Sequence, residues 1–381
     1  MPKDQMKRIG FAYNQKPAPD APGGPSTGDE PPLDPAEEPP SIASRNATPS
    51  RDAAAVLTAA PDADDQFAEW DSPETIDAVD RALSRLGTVI RLEATRDFPE
   101  QLRAARPDIV FNMAEGLAGV NREAHVPAIC EFFGIPYSGS DPFTLTLCLN
   151  KARAKQVLAY YGVPTAPFAV VERPGATDAL DALRYPLFVK PLHEGSSKGI
   201  TERNLCRTPG DLDEQVRFLL DRYAEPVLVE EFLSGDEFTC AVLGNDDAQV
   251  LPLVAMNFGA LPPGALPIYG FEAKWLWDRP DHPLPIFDCP ARIDDELRAQ
   301  IERVTLAAYR ALGCRDWSRV DVRLDAAGVP NVVEVNPLPG ILPDPADNSC
   351  FPKAARAAGL SYDELIQTCL ILAAERHGID L

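Results

Sequence analysis

No apolar run in this chain approaches the roughly 20 residues needed to cross a bilayer, and the N-terminus lacks the basic-then-apolar layout of a secretion signal. Both absences point to a soluble, cytoplasmic protein with no membrane partner. Positive charge is scarce: 36 Lys and Arg stand against 58 Asp and Glu, a formal net charge of -22. Nucleic-acid binding rests on cations that neutralise phosphates, so a nucleic-acid partner is not expected. A small anionic ligand stays open, because a few lysines can focus a field inside a cleft. Paired cysteines are missing too. The eight cysteines form no CxxC pair and no zinc-knuckle spacing, so they read as buried, reduced thiols. GxxxxGK[ST] does not occur, which removes the P-loop.

What is present is enough apolar residue, 45% of 381, for two or three domains with their own cores. "MKRIGFAYN" reads as a first strand. From Lys16 to about 66 the chain turns to Pro, Ala, Asp, Glu, Ser and Gly, with 11 of the 39 prolines between Pro17 and Pro61. That composition cannot bury enough apolar surface to order itself, so a disordered insertion is expected over about 16–66. Order returns at "DSPETIDAVDRALSRLG", where Ser72 is a suitable N-cap, Pro73 suits the first turn and Gly87 lies past the end. Alternating strand and helix patterns up to "PDIVFNMAEG" imply a parallel sheet with crossover helices. Later strands, "YPLFVKP" and "EPVLVEEFLSGDEFTCAVLG", look antiparallel. "SRVDVRLDAAGVPNVVEVN" reads as a hairpin and "SYDELIQTCLILAAERHG" as a closing helix.

Two patterns carry chemistry. In the late hairpin, Arg319, Asp321 and Arg323 alternate with apolar residues, as do Glu334 and Asn336. A loop around residues 326–329 would set Asp325 opposite Pro330, Asp321 opposite Glu334 and Arg319 opposite Asn336. Facing carboxylates repel, and an Asp, Glu and Asn oxygen set suits Mg²⁺. The same pattern fits a solvated face with Arg319 and Arg323 as counter-charges. In "YPLFVKPLHEGSSKGI", Lys190 ends a strand and a Gly/Ser loop follows. Those groups offer a point charge and free N–H groups to phosphate oxygens, or they form an ordinary exposed turn.

Taken in order, eight stretches resemble the ATP-grasp ligases, and within them the D-alanine–D-alanine ligases: "GIPYSGSDPFTLTLCLNKARAK", "LFVKPLHEGSSKG", "VLVEEFLSGDEFTCAVLG", "FEAKWLWD", "CPARI", "GCRDWSRVDVRLD", "EVNPLPG" and "AARAAGLSYDELI". The resemblance runs from about Asp71 to the C-terminus. It implies an α/β (α+β overall) ATP-grasp fold, in which an N-terminal parallel-sheet part (1–140) accompanies central (141–232) and C-terminal (233–381) antiparallel-sheet parts that sandwich ATP. It implies a ligase that activates a carboxylate as an acyl phosphate and joins it to an amine, making a dipeptide or amide from amino-acid-like substrates. The cofactors implied are ATP and two Mg²⁺ ions, with Mn²⁺ as a substitute. The family's frequent dimerisation through the first part suggests a homodimer.

The resemblance also assigns roles. Lys151 and Lys190 take the α- and β-phosphates, and Glu194, Gly195, Ser196 and Ser197 form the loop that closes over ATP. Glu230 and Leu233 lie in the adenine-side linker, Glu237 binds ribose, and Lys274 reaches the γ-phosphate. Asp321, Glu334 and Asn336 hold the metals. Arg319 and the Gly340 N–H hold the oxyanion, and Ser349 takes the second substrate's carboxylate. The departures are all on the amino-acid side. No Gly-Gly-x-Ser-x-Glu follows the first strand, "FNMAEGLAGVNREAHVP" replaces the usual His-Gly, and Trp275 stands where the family has a tyrosine, so it offers no hydroxyl. Glu115 could take over the missing glutamate's ammonium, or be a loop charge; Arg122 is a candidate for a carboxylate. D-Alanine with D-alanine, for cell-wall precursors, is the default pair, and a different pair in specialised metabolism the competing one; a non-catalytic ATP-binding protein is the alternative from another class.

Overall fold

A computed structural model describes residues 6–17, 67, 69–175, 180–270, 272–277 and 284–381. Residues 18–66 of the expected disordered insertion, and the side chain of Trp275, lie outside the described residues. The first strand, β1 (Arg8–Tyr13), is buried after its first residue because β2 (Thr88–Glu93) and β3 (Ile109–Asn112) pair with it in parallel on either side. A strand covered on both edges and both faces reads as a nearly continuous apolar run, as "IGFAY" does. The crossovers are α1 (Pro73–Leu83) and α2 (Phe98–Ala105). Ser72 caps α1 by accepting from the Thr75 N–H at 3.3 Å. Gly87 follows the helix, where a Cβ would meet the Lys7 carbonyl at 2.4 Å; glycine lets the chain pass beside β1.

After α3 (His125–Phe133), Tyr137 makes a single bridge to Val110. Then come α4 (Pro142–Leu149), capped by Asp141, and α5 (Lys151–Tyr160), capped by Asn150. The second sheet is antiparallel in the order β4-β7-β5-β6, from β4 (Phe168–Val171), β5 (Leu187–Pro191), β6 (Leu205–Cys206) and β7 (Val227–Glu231), with α6 (Pro209–Tyr223) on it. The third has the order β11-β10-β8-β12-β13, from β8 (Glu237–Leu243), β10 (Val254–Met256), β11 (Phe287–Asp288), β12 (Trp317–Leu324) and β13 (Pro330–Asn336); β9 (Gln249–Val250) pairs with β8. Helices α7 (Asp295–Ala311), α8 (Cys350–Ala357) and α9 (Tyr362–Arg376) complete it.

One core joins residues of the first and third sheets: Ile9, Phe111, Ile76 and Val79 pack with Trp317, Phe351, Leu365 and Cys369. Beside it, Asp316 is wholly buried. Its carboxylate accepts from Arg376 Nε and Nη2 (3.0 and 2.8 Å), the Gly139 N–H (2.8 Å) and Asn245 Nδ2 (3.0 Å). That one acid ties the end of α9, the turn before α4 and the entry to β12. All eight cysteines are free thiols, six of them buried.

Candidate active site

The hairpin β12–β13 sets the centre. Arg319 faces Asn336 and Asp321 faces Glu334, as the alternation predicts. Towards the loop the expected register fails. Pairing slips between Asp321 and Val322, so Pro330 faces Leu324 rather than Asp325. A β-bulge on the β13 side takes up one residue, and Asp325 instead caps the turn through its Oδ1 to the Ala327 and Val329 N–H groups. Arg319 forks onto Asp321 through Nε (3.1 Å) and Nη2 (2.9 Å), and Thr239 Oγ1 donates to Asp321 at 3.0 Å. Burial opposes the Arg319 charge, but Asp321 outweighs it and holds the guanidinium's pKa above its usual value.

Asp321, Glu334 and Asn336 thus bring together oxygen donors of the hard kind Mg²⁺ accepts. Both carboxylates already face cationic groups, which shows the demand for positive charge there. Asn336 Nδ2 donates to Asp321 Oδ2 (3.3 Å). Among the described residues no group of three or more His, Cys, Asp or Glu is gathered as metal ligands; the set here has two carboxylates and an amide.

Lys151 opens α5 with its ammonium 3.2 Å from Glu334 Oε1, and it donates to the Glu194 carbonyl. Burial works against the Glu334 charge, yet Lys151 and Lys190 outweigh it and hold the carboxyl below its usual range. Lys190, on β5, is 2.8 Å from Glu230 Oε1, whose other oxygen is 2.9 Å from Lys155. Glu230 lies within β7 and its side chain is spent on two ammonium groups, while Leu233 is half-buried in the turn beyond. Lys155, 2% exposed at its side chain, escaped the sequence reading. Its signal was the four-residue spacing from Lys151, which puts both on one helix face.

The loop after β5 sits between this centre and the first sheet. Ser196 (φ 51°), Ser197 (φ 62°) and Gly199 (φ 69°) are left-handed. The chain that leaves β1 returns beside it: the Asp71 N–H donates to the Asn14 carbonyl at 2.9 Å. Glu69, just ahead, therefore lies near the end of the first strand although 55 positions separate it from Asn14 in the sequence. Arg122 Nη2 lies 3.0 Å and Lys198 Nζ 3.2 Å from Glu69 Oε2. Arg122 thus holds a protein carboxylate rather than standing open. Glu115, the candidate for the missing glutamate, is close to Glu69, Glu123 and Arg122. Burial first, then the Glu123 and Glu69 charges, push its pKa well up. Burial raises the Glu123 carboxyl to about 7, against the pull of Arg122.

Glu237, at the start of β8, accepts from Arg323 Nη1 at 2.8 Å, and burial raises its pKa. Lys274 is half-buried in the helical turn Glu272–Trp277, near enough for its charge to act on the Cys350 thiol. Gly340 is exposed, with no atom of the described residues within 4 Å of the point where a Cβ would sit. Ser349 Oγ donates to the Gly340 carbonyl and accepts from the Leu342 N–H, both at 3.2 Å. The loop "ILPDPADN" folds so that Ser349 returns to Gly340.

A family model described as "D-ala D-ala ligase C-terminus" matches residues 157–371, more than half of the chain. The protein belongs to the D-alanine–D-alanine ligase family. It is therefore a ligase of the C–N bond-forming kind, with the ATP-grasp fold. This family member is 36% identical over 301 residues to a D-alanine–D-alanine ligase of Actinobacillus pleuropneumoniae, covering 78% of this chain and 91% of that one. It is 38% identical over 282 residues to protein y4sG of Sinorhizobium fredii, covering 74% and 79%. Its fold matches the Bacillus anthracis D-alanine–D-alanine ligase solved with ATP (TM-score 0.66, 20% identity, 98% of this chain and 99% of that one). It matches the Enterococcus faecalis D-Ala:D-Ser ligase similarly (TM-score 0.64, 22% identity, 97% and 100%). Among the described residues no helix is long and apolar enough to cross a membrane.

Proposed function

We propose that this ligase uses ATP to phosphorylate the carboxylate of one amino-acid-like substrate and joins it to the amine of another, releasing ADP and phosphate. The observation that carries this reading is the convergence of Lys151, Lys190 and Arg319 on the carboxylates Asp321 and Glu334 of one hairpin. Lys151 and Lys190 neutralise phosphate oxygens. Glu230, held ionised, keeps Lys190 charged and aimed. Asp321, Glu334 and Asn336 would hold Mg²⁺ ions, which shield charge on a transferring phosphoryl group. Lys274 adds a cation at the far end of the phosphates, and Glu237 accepts from ribose hydroxyls. When the amine attacks the acyl phosphate, negative charge gathers on the carbonyl oxygen; Arg319 and the Gly340 N–H are the donors for it. Ser349 orients the carboxylate of the attacking substrate. The loop 193–200 excludes water, which would otherwise hydrolyse the acyl phosphate.

Three working parts follow, divided near residues 140 and 232, in a cytoplasmic enzyme that can pair as a homodimer. The default substrates are two D-alanines. A different pair is favoured by one feature: Arg122 and Lys198 already hold Glu69, and Glu115 and Glu123 stand beside it. The deciding experiment is phosphate release with ATP, Mg²⁺ and single or paired amino acids, with products weighed by mass spectrometry. D-Alanyl-D-alanine from D-alanine supports the default. Turnover only with another pair supports the second reading. ATP binding without turnover across a broad panel would count against both. Arg319→Met is expected to cut kcat by roughly 100-fold, with little change in ATP affinity.

A further inference from the structure

The loop after β5 is short and held in an unfavourable backbone. Two successive non-glycine residues, Ser196 and Ser197, are left-handed, a conformation that persists only where surroundings enforce it. Inside the loop, the Lys198 N–H to Gly195 carbonyl bond (3.0 Å) and the Ile200 N–H to Ser197 carbonyl bond (3.1 Å) tighten the turn. Other fixation comes from outside. Ser197 Oγ donates to the Tyr269 carbonyl at 3.1 Å, and Arg122 Nη1 to the His193 carbonyl at 3.2 Å. The Lys198 ammonium lies 3.2 Å from Glu69 Oε2 and 3.2 Å from Glu194 Oε2. These side chains are nearly enclosed, 9% exposed for Lys198 and 10% for Glu69. Glu69 lies directly against the loop backbone: a Cβ on Gly195 would lie 2.3 Å from Glu69 Oε1.

Glu69 belongs to the segment hydrogen-bonded to the end of β1, whereas Lys198 sits in the loop that follows Lys190. Their pair spans from the first sheet to the loop beside the phosphate lysines. Enclosed opposite charges attract strongly while together, but each regains water when the loop lifts, so the pair closes firmly and opens reversibly. We propose that Lys198 is a positioning residue: by pairing with Glu69 it latches the 193–200 loop shut, so that the activated carboxylate meets the amine before it meets water. This rests on the ligase reading above. In that reading Lys198 does not touch the reacting atoms.

The test compares wild type with Lys198→Met, Lys198→Arg, Glu69→Gln and the Met/Gln double variant. Nucleotide affinity is measured by calorimetry with ATP and Mg²⁺ alone. The ratio of phosphate released to amide formed is measured with whichever substrate pair turns over. Wild type is expected to give a ratio near one. Lys198→Met should weaken nucleotide binding about tenfold and raise the ratio several-fold, because phosphate continues to be released while the amide yield falls. Lys198→Arg should restore most of both. The double variant should lose less than the sum of the two single losses, because the Lys198–Glu69 contact is counted in both, while Glu69→Gln also loosens Arg122 and Lys198→Met also releases Glu194. A purely structural role for Lys198 would lower phosphate and amide together at an unchanged ratio; that result, or additive losses in the double variant, overturns the latch. If no substrate pair turns over, calorimetry still decides. Wild type that fails to bind ATP removes the ligase reading and the latch with it. Wild type that binds ATP no better than Lys198→Met removes the latch alone.

Discussion

At Glu230 one carboxylate lies between two ammonium groups, Lys155 and Lys190, all three buried. Burial opposes its charge, and the two lysines overcome that and pull its pKa down to about 2. In the unfolded chain the group titrates near 4.5. Its stabilisation is therefore complete above that value and is lost as pH falls from about 4.5 to about 2. Glu230→Gln removes the counter-charge of two enclosed lysines. The expected loss is roughly 3–5 kcal/mol in denaturant unfolding at pH 7, and the difference from wild type should shrink as acid protonates the native carboxylate. An unchanged midpoint would mean that water already reaches the lysines. Lys190 drew notice because a lysine at a strand end followed by a Gly/Ser turn suits phosphate oxygens, whereas Lys151 was named through the family resemblance alone. Lys155 carried only a helical spacing. Glu69 carried nothing local, because its partners Arg122 and Lys198 are 53 and 129 positions away.

The elements that sequence described best are those with side-chain caps. Ser72 and Ser361 each accept from the N–H three residues on, at 3.3 Å, and α1 and α9 begin where they stand. The hairpin was readable at Asp321 and Glu334 because alternation fixes which side chains share a face. It was not readable towards the loop, because a bulge among consecutive valines leaves no mark in composition. The tie between α9 and β12 was equally silent, since Asp316 and Arg376 look like surface charges. Removing Arg376 strands a wholly buried carboxylate with neutral donors. Arg376→Met is expected to cost roughly 3–5 kcal/mol in urea unfolding. Adding Asp316→Asn should recover part of that loss, because the buried group is then neutral. A loss below about 1 kcal/mol for Arg376→Met would show that Asp316 finds other compensation.

On the scale of the whole molecule, the stretch from Asn14 to Asp71 leaves and rejoins the fold at two residues that lie side by side, as their backbone hydrogen bond shows. Replacing residues 18–66 with a short Gly/Ser linker is expected to preserve fold and turnover. Stability should be equal or up to about 2 kcal/mol higher, because a shorter loop has less closure entropy to lose; denaturant melts and phosphate release check this. Collapse of the fold would instead assign that segment a structural duty. The packing of α9 carries a different consequence. The helix covers α1 from far along the chain, with Gln367 Nε2 bonded to the Ala82 carbonyl and Leu365, Ile366 and Cys369 in the same core as Ile76 and Val79. On the ribosome, every strand of the first sheet is complete long before α9 is made. A growing chain halted ahead of Tyr362 must carry the greasy side of α1 bare and Asp316 without its arginine, so it should be held by chaperones until the final helix emerges and closes over both.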